Sequence, residues 1–166
     1  MARRDAAGAS AGTPATAALT RAGIAFTVHA YDHDPRATSY GEEAAAALGL
    51  TVDEVFKTLM AMIDGEPVIG IVPVSGSLDL KALAAAAGGR RAEMADPAVA
   101  QRLTGYVLGG ISPIGQKRAL PTFLDESAVL LETVYVSGGR RGMDIGLAPD
   151  DLITVTGGEY AAIARR

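Results

Sequence analysis

The sequence contains no cysteine, which excludes both a disulfide framework and a catalytic thiol supplied by the protein itself. It also lacks long apolar runs. None approaches the ~20 residues that a membrane-spanning helix requires, although 49% of the residues are hydrophobic. A chain of 166 residues can bury one core without a disulfide or a metal ion. These features predict one soluble domain.

The sequence also has no excess of basic over acidic residues. The formal net charge of −4 argues against a protein that coats DNA or RNA through many phosphate contacts. Local basic pairs such as Arg140-Arg141 are either single phosphate contacts or ordinary solvated surface pairs. We therefore expect neither DNA nor a membrane as a partner.

The first twelve residues have no apolar centre of the kind that a signal peptide contains. We therefore expect residues 1–12 to form a flexible tail, residues 13–166 to form the domain, and the protein to be cytoplasmic. No internal repeat, linker or change of composition divides the remainder of the chain.

Three common catalytic motifs are absent. The stretch from Gly110 to Lys117 looks like a phosphate-binding loop, but Gln116 displaces the lysine of that loop and Arg118 replaces its hydroxyl residue. There is neither an HExxH helix nor a Gly-x-Ser-x-Gly elbow. On one extended strand His29 and His33 would lie ~13 Å apart, too far to share a metal ion unless the chain turns. Nucleotide hydrolysis, metal catalysis and a serine nucleophile are therefore disfavoured.

Capping and turn residues predict most of the helices and strands. Thr13 and Pro14 begin a first helix that Gly23 ends. Asp64-Gly65 joins two apolar strands as a hairpin. The other predicted elements are a strand at 26–31, helices that begin after Ser39, Ser77 and Asp96, strands at 130–136 and 142–147, and short helical ends at 149–153 and 160–164. This pattern predicts an α+β domain.

A single lysine, Lys57, lies near the start of the apolar run EVFKTLMAMI at residues 54–63. Both faces of this strand are mostly apolar, so we expect the strand to be central in a sheet. Lysine is seldom fully buried without a partner. Lys57 therefore either holds its ammonium group in water at the strand end or supplies a binding or catalytic cation at the mouth of a pocket.

Other polar and glycine-rich positions are candidate contacts to a ligand. The segment from Gly109 to Pro113 leaves peptide groups uncovered, so it either binds a ligand through its backbone or is an ordinary tight turn. Tyr31 offers a hydroxyl group beside a pocket. Ser137 and Gly138 offer a hydroxyl group and exposed amides, with Asp144 on the following strand. The alternative there is a glycine-rich hairpin with a capping serine.

Several segments are informative when taken in order: HAYDHDP, VFKTL, SLDLK, TGYVLGGISPIGQK, LPTFLDE and VYVSGGRRGMDI. In sequence and spacing they resemble the YbaK-type aminoacyl-tRNA deacylases, which are free-standing relatives of the editing domain inserted in bacterial prolyl-tRNA synthetase. No single segment is decisive, but together they are specific. The resemblance runs from Thr13 to about Arg165, so only the first twelve residues fall outside it.

The resemblance implies a fold, an activity and partners. The implied fold is a mixed, mostly antiparallel curved sheet or barrel flanked by helices. The implied activity is hydrolysis of mischarged aminoacyl-tRNA, principally Cys-tRNA(Pro), at a site without metal or cofactor. The implied partners are the acceptor end of the charged tRNA and prolyl-tRNA synthetase. The alternatives are an editing enzyme for another residue, such as Ala-tRNA(Pro), that uses water, or a non-catalytic adaptor that binds tRNA or the synthetase.

The resemblance also assigns site residues. Lys57 matches the essential lysine of the family, and Gly109, Gly110, Ile111, Ser112 and Pro113 match its Gly-x-x-x-Pro loop. The residues that match polar positions around the pocket are Tyr31, Thr58, Ser137 and Asp144. Tyr40 stands where many relatives carry phenylalanine, which keeps an aromatic wall but adds a hydroxyl group. The family mechanism uses the cysteine thiol of the substrate as the nucleophile.

Overall fold

The computed structural model describes residues 12–166, and five α-helices occur among them. They are α1 (Pro14–Ala22), α2 (Tyr40–Leu48), α3 (Leu80–Ala86), α4 (Pro97–Thr104) and α5 (Pro149–Thr156), with a 3₁₀ helix at Glu126–Leu130. A side chain caps the first turn of each α-helix except α5. None of these helices is long and apolar enough to cross a membrane. The predicted tail, apart from Gly12, lies outside the described residues.

Ten strands occur in the same part of the chain. They are β1 (Thr27–Ala30), β2 (Phe56–Ile63), β3 (Glu66–Pro73), β4 (Ser77–Leu78), β5 (Ala92–Met94), β6 (Thr122–Asp125), β7 (Val134–Arg140), β8 (Met143–Leu147), β9 (Glu159–Ala161) and β10 (Ala164–Arg165). They form one sheet of order β5-β2-β3-β6-β9, a second of order β1-β8-β7, and the pair β10-β4. Strand β6 runs parallel to β3 and β9, whereas the other neighbours are antiparallel. The predicted α+β class and mixed, mostly antiparallel pairing are confirmed, but the strands form separate sheets and no closed barrel is confirmed.

The hairpin of β2 and β3 lies inside the five-stranded sheet, as the sequence predicts. Its turn residues Asp64 and Gly65 both have positive φ, 50° and 84°, as a tight two-residue hairpin requires. Strand β5 pairs with β2 only from Ala61 to Ile63. Among the described residues, the edge of β2 that faces β5 therefore has no strand partner at the start of the strand, which is the part that carries Lys57.

The two larger sheets meet where β7 touches the chain just before β2. Val55 and Tyr135 form a parallel bridge, and the Tyr135 N–H group donates to the Glu54 carbonyl at 3.0 Å. Within the described residues, β2 and β7 share no backbone ladder beyond this point. Apolar side chains of both sheets pack together in one core, among them Phe56, Met60, Val136 and Ile145.

The helix predicted after Ser77 starts later than expected. Ser77 lies in β4 opposite Arg165. The N-cap of α3 is instead Asp79, whose side chain accepts a hydrogen bond from the Ala82 N–H group at 3.0 Å. The sequence prediction was wrong because pairing with the end of the chain draws Ser77 into a strand.

The predicted helical end at residues 160–164 is also wrong. This segment is extended, since β9 pairs with β6 and β10 pairs with β4. The carboxylate of Asp125 holds it by accepting hydrogen bonds from the N–H groups of Ile163 and Ala164 at 3.0 and 2.9 Å. Similarly, the strand predicted from residue 130 begins only at Val134, because the 3₁₀ helix extends to Leu130.

Candidate active site

A cavity of about 280 Å³ is lined by the start of β2, by Ser137 of β7 and by neighbouring segments. Eight of the residues predicted from the sequence lie in its wall: Tyr31, Tyr40, Lys57, Thr58, Gly109, Ile111, Ser137 and Asp144. Clefts of about 470 and 440 Å³ elsewhere on the described surface contain none of them. The cavity is slightly smaller than the ~300–1,000 Å³ of pockets for drug-sized ligands, which suits a group about the size of an amino acid.

Lys57 supplies the cation of the cavity wall. It is half-buried on β2, opposite Val72 of β3, and Phe56 and Leu59 add apolar surface beside it. The ion pairs among residues 12–166 use other cations. Its ammonium group is therefore available to a negative or partly negative oxygen of a ligand.

Asp144 and Tyr31 supply ionisable groups whose pKa values are raised. Asp144 lies on β8 between His29 of β1 and Ser137 of β7. It is 5% exposed, and burial raises the pKa of its carboxyl group to about 7. Burial, together with the negative charges of Asp144 and Glu43, raises the pKa of Tyr31 to about 12. Near pH 7, Asp144 can therefore exchange a proton, whereas Tyr31 is a neutral hydroxyl group.

Two hydroxyl groups of the wall differ in their hydrogen bonds. Thr58 Oγ1 is buried and has no hydrogen-bond partner among the described residues. Ser137 Oγ accepts a hydrogen bond from the Gly139 N–H group at 3.2 Å, which leaves its own proton available. A buried hydroxyl group without a partner is costly, so a polar group of a ligand beside Thr58 would remove that cost.

The backbone at Gly109 forms another part of the wall. Gly109 has φ of 82°, and a Cβ atom there would lie 2.6–2.8 Å from the ring of Tyr40. The ring, at the first position of α2, therefore lies directly against the glycine backbone. Only glycine combines this backbone angle with so close an approach.

Four predicted residues lie outside the cavity wall: Gly110, Ser112, Pro113 and Gly138. They are buried and shape the surrounding backbone. A Cβ atom at Gly110 would lie 2.7–2.9 Å from the backbone of Arg140 and Arg141. Ser112 Oγ accepts a hydrogen bond from the Ile114 N–H group at 3.2 Å, and the Gly138 carbonyl accepts one from Thr13 Oγ1 at 2.6 Å. The loop is thereby packed against the turn between β7 and β8.

Arg141 lies beside the cavity, whereas the sequence left open whether it contacts a phosphate or is an ordinary surface residue. Its guanidinium carbon is 5.4 Å from the centre of the Tyr40 ring. Its Nε group donates to the carbonyl of Leu108, another wall residue, at 2.7 Å. Sequence reasoning missed this contact because it joins α2, the Gly109 loop and the β7–β8 turn, which are far apart along the chain.

Glu43 organises the segment before α2. One carboxylate oxygen lies 2.8 Å from Nδ1 of His33, and the other accepts a hydrogen bond from the Asp34 N–H group at 2.6 Å. Desolvation raises the pKa of Glu43, but the two hydrogen bonds and the charge of His33 together outweigh it, so the pKa is lowered. The His33 ring lies 5.8 Å from that of Tyr40. The sequence did not predict the contact between His33 and Glu43, because their separation along the chain matches no local motif.

The arrangement supports binding and charge stabilisation. No group of three His, Cys, Asp or Glu side chains converges as metal ligands within residues 12–166. No histidine lines the cavity, so its serine and threonine hydroxyl groups have no imidazole base beside them. A small apolar cavity with an ammonium group, a carboxyl group and hydroxyl groups in its wall can orient an ester and stabilise negative charge on its oxygens.

Comparisons of the sequence identify related proteins. A family model described as the aminoacyl-tRNA editing domain matches residues 33–155. A protein of Enterococcus faecalis, provisionally named Cys-tRNA(Pro)/Cys-tRNA(Cys) deacylase EbsC, is 40% identical over 126 residues, which cover 75% of this chain and 77% of that protein. A proline–tRNA ligase of Maridesulfovibrio salexigens is 32% identical over 101 residues, which cover 61% of this chain and 17% of the ligase.

The fold also resembles solved structures. A crystal structure described provisionally as a trans-editing enzyme for prolyl tRNA synthetase matches with a TM-score of 0.81 and 27% identity, over 92% of this chain and 96% of that chain. The crystal structure of hypothetical protein APE2540 matches with a TM-score of 0.82 over 92% of this chain. At 23% identity, the second match bears on the fold alone.

Proposed function

The chain belongs to the aminoacyl-tRNA editing domain family, and we propose that it removes cysteine from mischarged Cys-tRNA(Pro). Aminoacyl-tRNA deacylation is the activity that the family supports. The particular amino acid, the tRNA and the chemical route are our proposal. The observation that carries it is a lysine without an ion-pair partner in the described region, together with a buried carboxyl group, in the wall of a small cavity.

The nucleophile in this proposal belongs to the substrate. Ester cleavage needs a nucleophile, and the chain has no cysteine. The thiol of the bound cysteinyl group attacks its own ester carbonyl carbon. A carbon–sulfur bond forms, the bond from that carbon to the ribose oxygen breaks, and the ribose oxygen takes up the proton lost by the thiol. The products are tRNA with a free ribose hydroxyl group and a cyclic thioester of cysteine.

The protein contributes position and charge. Holding the thiol against the carbonyl makes the attack intramolecular, which can lower a barrier by ~7–11 kcal/mol. In our proposal, Lys57 binds the ester oxygen and stabilises the negative charge that develops there. The ionised carboxyl group of Asp144 binds the ammonium group of the amino acid. The peptide groups at Gly109 and Ile111, with the hydroxyl groups of Tyr31 and Thr58, hold the remaining polar atoms.

The test compares release of tRNA from Cys-tRNA(Pro), Ser-tRNA(Pro) and Ala-tRNA(Pro). Serine differs from cysteine by one atom and is a far weaker nucleophile, so the proposal requires much faster release of cysteine than of serine. Faster release of alanine would identify an editing enzyme that uses water. Binding of charged tRNA without any release would favour a non-catalytic adaptor.

Lys57→Ala tests whether the ammonium group of Lys57 is needed for deacylation. We expect a loss of deacylation of 100-fold or more, by analogy with removal of one group that stabilises an oxyanion (about 10²–10³). Lys81→Ala is the matched control, because Lys81 is exposed on α3 and away from the cavity. Near-normal turnover by a folded Lys57→Ala protein would contradict the catalytic role proposed for Lys57.

Prolyl-tRNA synthetase is the proposed partner. The chain is acidic overall, so few phosphate contacts are available to identify the body of a tRNA. Relatives of the domain occur as part of proline–tRNA ligases. We propose that the synthetase supplies tRNA identity, and that the reaction takes place in the cytoplasm. Addition of the synthetase should raise deacylation of Cys-tRNA(Pro) above that of Cys-tRNA(Cys); an unchanged ratio would argue against this partnership.

A further inference from the structure

The rim of the cavity carries an exposed apolar surface that the proposed chemistry does not use. Tyr40 and Leu108 are each 36% exposed and Val107 is 53% exposed. Tyr40 and Leu108 also line the cavity, so this surface continues from the cavity wall onto the outside of the protein. Together with Arg141, we call these residues the rim.

Arg141 is fixed in place at the rim while its charge remains accessible. Its Nε group is held by the Leu108 carbonyl at 2.7 Å, and its guanidinium carbon lies 5.4 Å from the centre of the Tyr40 ring. The side chain is exposed. Within residues 12–166 its two terminal amino groups make no hydrogen bond, and the ion pairs there use other residues. A guanidinium group held in this way can bind a phosphate through both amino groups.

We propose that the rim binds the 3′-terminal nucleotide of the charged tRNA. Arg141 binds the phosphate of this nucleotide, and the apolar surface of Tyr40, Val107 and Leu108 packs against its base. This inference rests on the proposed function: the amino acid is esterified to the ribose of that nucleotide, so an aminoacyl group in the cavity leaves the nucleotide at the cavity mouth. Stacking of a base on an aromatic or apolar surface is a general means of holding single-stranded RNA.

Arg140 is the matched control for Arg141. The two arginines are adjacent, exposed and equally charged. Arg140 ends β7 and pairs with Met143 of β8. The contacts to Tyr40 and to the Leu108 carbonyl belong to Arg141 alone. An effect of general surface charge would therefore be shared by the two residues, whereas a phosphate site would depend on Arg141.

The experiment measures binding rather than hydrolysis. The probe is an RNA hairpin with a CCA end whose terminal ribose carries cysteine through an amide in place of the ester. Its dissociation constant is measured by fluorescence anisotropy at several salt concentrations. We expect Arg141→Gln to weaken binding roughly tenfold and to reduce the slope of log affinity against log salt by ~0.7–0.9. Arg140→Gln should change affinity less than about twofold.

Two further variants separate the parts of the rim. Arg141→Lys should retain the salt slope but regain only part of the affinity, because lysine cannot reproduce the paired amino groups. Tyr40→Leu should weaken binding without changing the salt slope, because it removes the ring and no charge. A second probe, cysteine joined through the same amide to adenosine without a 5′-phosphate, should bind wild type and Arg141→Gln equally. Thermal melting of each variant shows whether a loss of binding reflects unfolding.

The outcomes distinguish this site from the proposed reaction. Equal effects of Arg141→Gln and Arg140→Gln on binding, in a protein that still hydrolyses Cys-tRNA(Pro), would overturn the rim site and leave the reaction standing. Arg141-dependent binding of the hairpin by a protein that hydrolyses no charged tRNA would support the site and overturn the reaction. Equal weakening of both probes by Arg141→Gln would overturn the assignment of Arg141 to a phosphate.

Discussion

Among single residues, Asp144 is the one whose protonation state should make activity depend on pH. Burial raises the pKa of its carboxyl group to about 7, so this group is mostly neutral at pH 5 and mostly ionised at pH 8. In the proposed mechanism the ionised form binds the ammonium group of the substrate. We therefore expect kcat/KM for Cys-tRNA(Pro) to rise with pH through about 7, measured after subtraction of spontaneous hydrolysis.

Asp144→Asn tests whether the ionised carboxyl group of Asp144 causes this rise in kcat/KM. The variant should lose the rise near pH 7 but keep the rise above pH 8 that ionisation of the substrate thiol produces. Asp53→Asn, at an exposed carboxylate paired with Arg166, is the control and should keep both. A folded Asp144→Asn protein with the wild-type pH profile would contradict the role of Asp144.

The same substitution should stabilise the protein, because the folded state holds this carboxyl proton more tightly than the unfolded state does. A pKa raised above the ordinary value of 3.8 means that the folded state loses stability as pH rises from about 4 to about 7. One pKa unit corresponds to ~1.4 kcal/mol. In urea unfolding, the gain from Asp144→Asn should therefore be larger at pH 8 than at pH 5 by roughly 2–3 kcal/mol.

Sequence reasoning at this scale succeeds where the signal is local. Lys57 stands out because a cation interrupts an apolar run, and the structure locates it in the cavity wall; its catalytic role stays a prediction. The contact between Arg141 and Tyr40 has no such signal. It depends on the packing of the Gly109 loop against the β7–β8 turn, and that packing exists only in the folded chain.

At the scale of elements, the turn at Gly109 is expected to be essential for the shape of the cavity. A Cβ atom at this position would meet the ring of Tyr40 at 2.6–2.8 Å, so Gly109→Ala must displace the ring or the loop. Gly49 has a similar φ of 69°, but a Cβ atom there would meet no other atom within 4 Å. Both substitutions should cost ~1–2 kcal/mol of stability through backbone strain.

Deacylation should separate these two glycine variants. We expect Gly109→Ala to lower kcat/KM by tenfold or more, because a misplacement of about 1 Å can cost a factor of ~100, whereas Gly49→Ala should retain activity at about 25 °C. Thermal melting provides the stability of each variant. Equal activity in the two variants would show that the contact between Gly109 and Tyr40 has no part in catalysis.

Elements with their own start and stop signals were predicted well from the sequence. Thr13 and Ser39 cap α1 and α2, and Gly23 and Gly49 end them with left-handed backbone angles. The prediction failed near Ser77 and at residues 160–164, where pairing between distant strands overrides the local preference. Such pairings are set by which strand edges meet in the folded protein, and no local motif records them.

At the scale of the whole molecule, the first helix connects the parts that surround the cavity. Thr13 Oγ1 donates to the Gly138 carbonyl of β7 at 2.6 Å. A Cβ atom at Gly115 would lie 2.5 Å from the Pro14 carbonyl oxygen, so the start of α1 also lies against the chain that follows the Gly109 loop. Composition and length predicted one domain, but which segments would surround the site depends on these long-range contacts.

This connection predicts that Thr13 matters more to stability than an ordinary helix cap. Thr13→Ala removes both the cap of α1 and the bond to Gly138, which together contribute ~1–2 kcal/mol. Its Tm should fall by roughly 3–6 °C. Ser39→Ala, which removes only the cap of α2, should lower Tm by less. Deletion of residues 1–11, which lie within the predicted tail at 1–12, should change neither Tm nor deacylation. Equal losses of Tm for Thr13→Ala and Ser39→Ala would show that the hydrogen bond from Thr13 to β7 adds no stability. A loss of deacylation after the deletion would show that the domain includes residues before Thr13.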